Sequence, residues 1–205
     1  GIPTKSEQSD LDIALHGLHG DAPHLVLAPT TVGDCLFTTE WAVHLSEALQ
    51  CPALVLSDQF LGQSVAVFDP PAPVTGDSSA RRLAEAGAGR YDRYALSADG
   101  VSPMELPGTC GRQYTADGLE HNPHGTPSSR ATDHQAQLDK RRDKLLRYYY
   151  GADWVEVEGE GDLAVITWGS LTGAVREAIA RAQADGFAVR LIAPRPIAPR
   201  PPKET

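Results

Sequence analysis

Two parts of the chain alternate short apolar runs with helical spacing. Residues 24–32 hold Leu25-Val26-Leu27-Ala28 between a histidine and Pro29, the continuous apolar pattern of a strand buried on both faces. Thr31 then stands where a helix N-cap belongs, and from 32 to about 50 Phe37, Trp41, Leu45 and Leu49 recur at every fourth position with Ala48 beside them. Pro52 ends that helix. Residues 53–57 read as a second buried strand that delivers Asp58 to its carboxyl end. Strand, helix and strand in this order predict parallel neighbours joined by a right-handed crossover.

The pattern returns after Asp162. Residues 163–168 predict a strand, and Gly169-Ser170 a tight turn whose serine can cap the next helix. That helix sets Val175, Ala178, Ile179 and Ala182 on one face and stops at Gly186; 187–192 is the following strand. Between the two units, 133–150 predicts a charged helix with Leu138, Leu145 and Leu146 as its few apolar points and Gly151 as its C-terminal cap. From Pro70 to about Ser129 no period lasts more than one turn. This middle is either a wrapping segment or two short hairpins, because a structureless loop of that length is unusual inside a compact domain. The class is α/β, with one unit over 1–150 and a second over 151–205, and no internal repeat.

Composition narrows the chemistry. A net charge of −9 on 205 residues argues against a nucleic-acid groove, which needs a local surplus of lysine and arginine. The one basic cluster, Lys140-Arg141-Arg142 with Lys144 and Arg147, is interrupted by Asp143 and reads as a solvated helix face. No apolar run is long enough to cross a bilayer, and no basic region precedes a hydrophobic stretch at the start. The three cysteines, Cys35, Cys51 and Cys110, form no C-x-x-C pair and no ligand set for an iron–sulfur cluster, which fits a reducing, cytoplasmic setting.

Ligands of open parallel sheets bind beyond the carboxyl ends of strands, which selects Thr30-Thr31, Asp58-Gln59 and Trp168-Gly169-Ser170. For the last of these a plain strand-to-helix turn is the favoured reading over an anion site. The chain has no G-x-G-x-x-G, no Walker-type phosphate loop and no G-x-S-x-G. His16 with His19, and His121 with His124, read as loop histidines, because no spacing supplies three or four zinc ligands. The opening loop is the better candidate. Pro3 stiffens it, Thr4 offers a hydroxyl and a backbone N–H, and Lys5 a mobile positive charge, a combination suited to a carboxylate or phosphate. Gln8 and Asp10, with Glu7, either orient these groups or bond a neighbouring subunit. Taken bare, a surface turn is the default for this loop.

The run Gly1-Ile-Pro-Thr-Lys-Ser-Glu-Gln-Ser-Asp-Leu11 resembles the G-[IM]-P-T-[KR]-x-E-Q-x-D-L segment in the α subunit of 2-oxoacid:ferredoxin oxidoreductases, above all the 2-oxoglutarate type. The likeness continues, in order, through His19-Gly20-Asp21-Ala22-Pro23, Leu56-Ser57-Asp58-Gln59-Phe60-Leu61-Gly62-Gln63, Asp99-Gly100-Val101-Ser102-Pro103, Thr115-Ala116-Asp117-Gly118-Leu119-Glu120-His121 and Thr167-Trp168-Gly169-Ser170. It therefore covers nearly the whole chain.

The resemblance implies a partial thiamine-binding, pyrimidine-type domain followed by a second, incomplete Rossmann-like α/β domain. It implies decarboxylation of a 2-oxoacid on thiamine diphosphate, acyl transfer to coenzyme A and electron transfer to ferredoxin. The β subunit is the implied partner, holding the diphosphate, the magnesium and a [4Fe–4S] cluster. Thr4 matches the threonine facing the 2-oxoacid, and Lys5 brings charge to the same entrance. Gln8 and Asp10 lie in the matching loop with a structural role equally expected, and for Asp58 a capped turn is slightly favoured. The family's glutamate that bonds the aminopyrimidine lies upstream of the matched segment, so the chain is expected to be the C-terminal part of its subunit, or else an inactive truncated assembly module. A pyruvate or branched-chain 2-oxoacid version fits the same loop. Cys110 stands in a Gly-Thr-x-Gly string where the family pattern has proline.

Overall fold

The computed structural model describes residues 9–21, 23–72, 74, 80–85 and 89–199. Helix α1 (Ser9–His16) precedes strand β1 (Leu25–Leu27), helix α2 (Val32–Leu49), strand β2 (Ala53–Val55) and the short helix α3 (Gln59–Gln63). Helix α4 (Ala131–Leu146) is followed by a 3-10 turn (Ala152–Trp154) and strand β3 (Val155–Glu158). Strand β4 (Leu163–Ile166), helix α5 (Leu171–Ala184), strand β5 (Val189–Pro194) and strand β6 (Pro196–Ala198) complete the order.

Both strand–helix–strand units form as the apolar pattern predicts, but β2, expected to be buried, is only half-buried and leaves Val55 exposed. β1 pairs in parallel with β2, and β4 in parallel with β5. All of β1 is buried because α2 closes over it: Leu25 and Leu27 meet Trp41, Ala42, Leu45 and Leu49. Each of these buried leucines contributes about 1.5–3 kcal/mol by leaving water. In the second unit Val175, Ile179 and Ala182 of α5 cover Val189 and Leu191 of β5.

Two features lie outside the predicted pattern, and one expectation needs correction. β3, whose Val-Glu-Val-Glu offers only two apolar residues, pairs antiparallel with β5 from Val155↔Pro194 to Glu158↔Leu191. The described chain also returns from the second sheet to the first. After Pro194 it crosses at Arg195, and β6 pairs antiparallel with β1, giving sheet orders β2–β1–β6 and β3–β5–β4. The first sheet thus draws strands from both sides of residue 150. Finally, α4 ends at Leu146 with Arg147 as its cap, and Gly151 is not a helix cap but the residue ahead of the 3-10 turn. The helix stops early because Tyr150 is drawn inward: it is buried edge-on against Trp41, and its hydroxyl donates to the Leu145 carbonyl at 2.9 Å.

The irregular middle is a wrapping segment with one tight hairpin-like turn, where Asn122 N–H donates to the Thr126 carbonyl and Ser128 N–H to the Glu120 carbonyl. It is held to α2 by Gln50, the left-handed C-cap residue, whose side chain donates to the Ser102 carbonyl at 2.7 Å. It is held to α4 by Gln137, which donates to the Tyr94 carbonyl at 3.0 Å. The basic cluster is correspondingly two-sided. Arg142 and Arg147 face solvent and pair with Asp143, but Lys144 donates to the Gln50 carbonyl at 3.0 Å and Lys140 is half-buried. Burial first, then the neighbouring Arg93, Lys144 and Arg141 charges, push Lys140 down to about 8. The spacing 137, 140, 141, 144 puts these donors on one helix face.

Arg141 completes that face by a two-pronged bond to Glu120, at 3.1 and 2.9 Å, while the His134 ring meets the same carboxylate at 2.8 Å. Burial pulls the Glu120 carboxyl upward, but these hydrogen bonds and the Arg141 charge outweigh it and hold the group at about 2. A depressed carboxylate stabilises the fold fully above its unfolded value, near 4.5, and the contribution is lost as pH falls toward 2. Glu120→Gln should therefore cost on the order of 2 kcal/mol at neutral pH and little at pH 2. Urea titrations between pH 2 and 7 check this; a difference between the two proteins that does not shrink below pH 4.5 would refute it.

Candidate functional site

The strand ends of both units converge. β1 delivers Thr30 and Thr31, β2 delivers Asp58, and β4 delivers Trp168, Gly169 and Ser170. Thr31 caps α2 as its sequence position predicts, its hydroxyl oxygen accepting from the Asp34 N–H at 3.0 Å. Asp58 caps α3 by accepting from the Leu61 N–H at 2.9 Å. Its other oxygen accepts a short hydrogen bond from the Ser170 hydroxyl.

Ser170 therefore does not cap its own helix with its side chain. Asp58 does more than close a turn, since one carboxylate ties α3 of the first unit to the start of α5 in the second. Burial raises the Asp58 carboxyl, yet the Ser170 hydroxyl and the backbone N–H groups of Leu61, Ser170 and Phe60 prevail and hold it below the usual carboxylate range. The positive end of α5 already has its anion in Asp58, so the free-anion reading of that turn is not needed.

A second junction lies beside the first. Arg195, the single residue between Pro194 at the end of β5 and Pro196 at the start of β6, donates to Asp34 at 2.8 Å, to Glu156 at 2.6 Å and to the Asp153 carbonyl at 2.7 Å. Asp34 also accepts from the Thr30 N–H at 2.8 Å and the Thr30 hydroxyl at 3.2 Å. The guanidinium lies 5.2 Å from the Phe37 ring centre. Its main chain is fixed as well: Arg195 N–H donates to the Trp154 carbonyl, and its carbonyl accepts from Ala28. This hub was missed in the sequence because its members lie up to 161 residues apart. The one local signal is an arginine locked between two prolines.

A cavity of about 420 Å³ opens against the hub, walled by Phe37, Phe68, Thr31, Asp69, Glu156 and Arg195. Phe68 packs over Gly33, where an added Cβ would sit 3.2 Å from the ring. Cys35 stands nearby; burial and the charges of Asp34 and Asp58 push its thiol up, which leaves it a poor nucleophile. No group of three or more His, Cys, Asp or Glu among the described residues could hold a metal. No helix among them is long and apolar enough to cross a membrane. Of the opening-loop candidates, Thr4, Lys5 and Gln8 lie outside the described residues. Asp10, expected in the loop, instead lies exposed in the first turn of α1, where its charge suits the helix dipole, and His16, read as a loop histidine, ends the same helix.

The comparisons with known proteins agree on one family. The family model described as pyruvate flavodoxin/ferredoxin oxidoreductase, thiamine diphosphate-binding, matches residues 1–140. The chain is 31% identical over 194 residues to the 2-oxoglutarate oxidoreductase subunit KorA of Mycobacterium tuberculosis, covering 92% of this chain and 29% of that one. It is 29% identical over 211 residues to the 2-oxoacid:ferredoxin oxidoreductase subunit alpha of Saccharolobus solfataricus, covering 98% and 33%. Among solved structures, the 2-oxoglutarate:ferredoxin oxidoreductase of Magnetococcus marinus, with 2-oxoglutarate, coenzyme A and succinyl-CoA bound, matches with a TM-score of 0.83 at 40% identity, over 98% of this chain and 36% of that one. The chain spans about a third of the length of these relatives. With more than half its residues under the family model and its fold shared almost end to end, the chain belongs to the pyruvate flavodoxin/ferredoxin oxidoreductase family of thiamine diphosphate-binding proteins.

Proposed function

We propose that the chain is part of the α subunit of a 2-oxoglutarate:ferredoxin oxidoreductase, which decarboxylates a 2-oxoacid oxidatively, forms the acyl-CoA and passes electrons to ferredoxin. The observation that carries this reading is the 40% identity, along 98% of the chain, to a solved enzyme holding 2-oxoglutarate and succinyl-CoA. Residues 1–150, joined by the returning strand β6, are the thiamine-side unit, and the remainder begins a second α/β unit. Thiamine diphosphate, when bound, supplies the carbanion chemistry that lets carbon dioxide leave a 2-oxoacid.

The described residues do not fit the charged end of that cofactor. They contain no acid set for magnesium and no glycine-rich phosphate cradle. The diphosphate, the magnesium and the [4Fe–4S] cluster accordingly belong, in this proposal, to a β subunit. The three free cysteines accord with a cytoplasmic, reducing location. This chain's own share is the wall between the two sheets, fixed by Asp58–Ser170 and Arg195–Asp34, and the opening loop.

In that loop Thr4 holds the substrate carboxylate through its hydroxyl and N–H, and Lys5 supplies positive charge at the entrance. Gln8, and Asp10 from the first turn of α1, orient the loop or meet the neighbouring subunit. In the assembled enzyme Thr4→Val should raise the KM for 2-oxoglutarate about tenfold, equivalent to ~1.4 kcal/mol, with a smaller change in kcat. Steady-state kinetics with a dye acceptor test this; an unchanged KM would remove Thr4 from the substrate site. The Saccharolobus solfataricus relative carries the broader name 2-oxoacid:ferredoxin oxidoreductase, and pyruvate or a branched 2-oxoacid is the second reading. Comparing kcat/KM across these acids decides between them.

A further inference from the structure

Three cations around α4 are left without a counter-charge. Asp139 pairs with Arg142, Asp143 with Arg142 and Arg147, and Glu120 with Arg141. These carboxylates are thus taken by arginines, and among the described residues Arg93, Lys140 and Lys144 meet only neutral oxygens. Arg93 donates to the Gln50 side-chain oxygen at 2.8 Å, Lys144 to the Gln50 carbonyl at 3.0 Å, and Lys140 to the Gln137 side-chain oxygen at 3.4 Å.

The three groups are neighbours. Lys140 and Lys144 stand one turn apart on the same face of α4. Gln50 joins Lys144 to Arg93, and Gln137 joins Lys140 to the Tyr94 carbonyl beside Arg93. All three side chains are half-buried, so water compensates them poorly while an ion can still reach them. Burial first, and then the like charges of Arg93 and Lys144, lower the Lys140 amine; burial lowers that of Lys144 too, with Arg93 and Arg141 adding to it. The negative end of α2 accounts for Lys144, which bonds its last carbonyl, but not for Arg93 or Lys140. Lys144 also lines a cavity of about 350 Å³ with Arg82, Arg147, Val101, Tyr148 and Tyr149, which leaves room for an organic group beside the cluster.

We propose that Arg93, Lys140 and Lys144 form a binding site for a phosphate-type oxoanion, either the free ion or the phosphate of a small ester lying in the adjoining cavity. The planar fork of an arginine engages two oxygens at once, and each lysine adds a point charge for a further one. That donor set suits a tetrahedral dianion better than a carboxylate, which has two oxygens to offer. Bound there, the anion ties the wrapping segment, through Arg93, to α4. The site is independent of the proposed reaction.

The test uses the assembled protein saturated with thiamine diphosphate, so that the cofactor's own phosphate site is already filled. It is titrated calorimetrically with inorganic phosphate and with glycerol 3-phosphate, in chloride at constant ionic strength. The expected result is saturable binding that Lys140→Gln weakens about tenfold, whereas Arg142→Gln, an equal loss of charge on the solvent side of α4, weakens it less than about twofold. Hydrogen exchange in the unsubstituted protein keeps a poorly folded variant from deciding the matter: phosphate slows exchange at residues 93–103 and chloride does not. Tighter binding of the ester identifies a small organic phosphate as the ligand, and tighter binding of phosphate the free ion; both support the site. The proposal is overturned if neither binds saturably, if Arg142→Gln costs as much as Lys140→Gln, or if exchange at 93–103 is indifferent to phosphate.

Discussion

Replacing Arg195 with leucine is expected to remove about 3–5 kcal/mol of stability. The Arg195 side chain is only 12% exposed and that of Asp34 7%, so the substitution strands a buried carboxylate and a second, partly buried one on Glu156. It also frees the Asp153 carbonyl that Arg195 occupies. Because Arg195 joins the last strand of the first sheet to β3 of the second, both junctions loosen together. A fall in Tm on the order of 10 °C should follow in a domain of this size. Adding Asp34→Asn should restore part of the loss, since the stranded charge is then gone. A loss below about 1 kcal/mol would show the hub to be no stronger than a surface ion pair.

Gly100→Ala carries the second large effect. Gly100 has φ +76°, and a Cβ there would stand 2.7 Å from the Lys144 Cβ and 2.9 Å from the Lys140 carbonyl oxygen. Neither neighbour is the free end of a flexible side chain, so α4 and the wrapping segment must move apart. Left-handed strain and overpacking together cost about 3 kcal/mol. Loss of protection at residues 91–128 in limited proteolysis, with a lowered Tm, is the expected outcome. An unchanged melting curve would mean that the wrapping segment is not clamped on α4.

What the sequence disclosed, and what it hid, follows from the range of the interactions. Leu25–Leu27, the α2 stripe from Phe37 to Leu49 and the Val175–Ala182 face of α5 were legible because their periodicity is local and strong. Thr31 was legible as a cap for the same reason. β3 was not, because its alternating glutamates answer to Arg176 and Arg195 rather than to an apolar core. The return of β6 to β1 leaves no trace in hydrophobic pattern, since Pro-Ile-Ala is too short to carry one. The early end of α4 is set by where Tyr150 finds Trp41, a tertiary preference that overrides Gly151 as a stop signal. At the site, Asp58 was found by the strand-end rule, but its partner Ser170 lies 112 residues away and was read only as a local cap. Family motifs supplied what periodicity lacked.

The central claim is that these residues form one wall of a cofactor cleft completed by another polypeptide. Native mass spectrometry of the protein isolated under mild conditions addresses it most directly. The account predicts a heteromer containing this chain, a second subunit and bound thiamine diphosphate, the cofactor lost when the subunits part. A stable monomer that binds neither a companion chain nor thiamine diphosphate would contradict it.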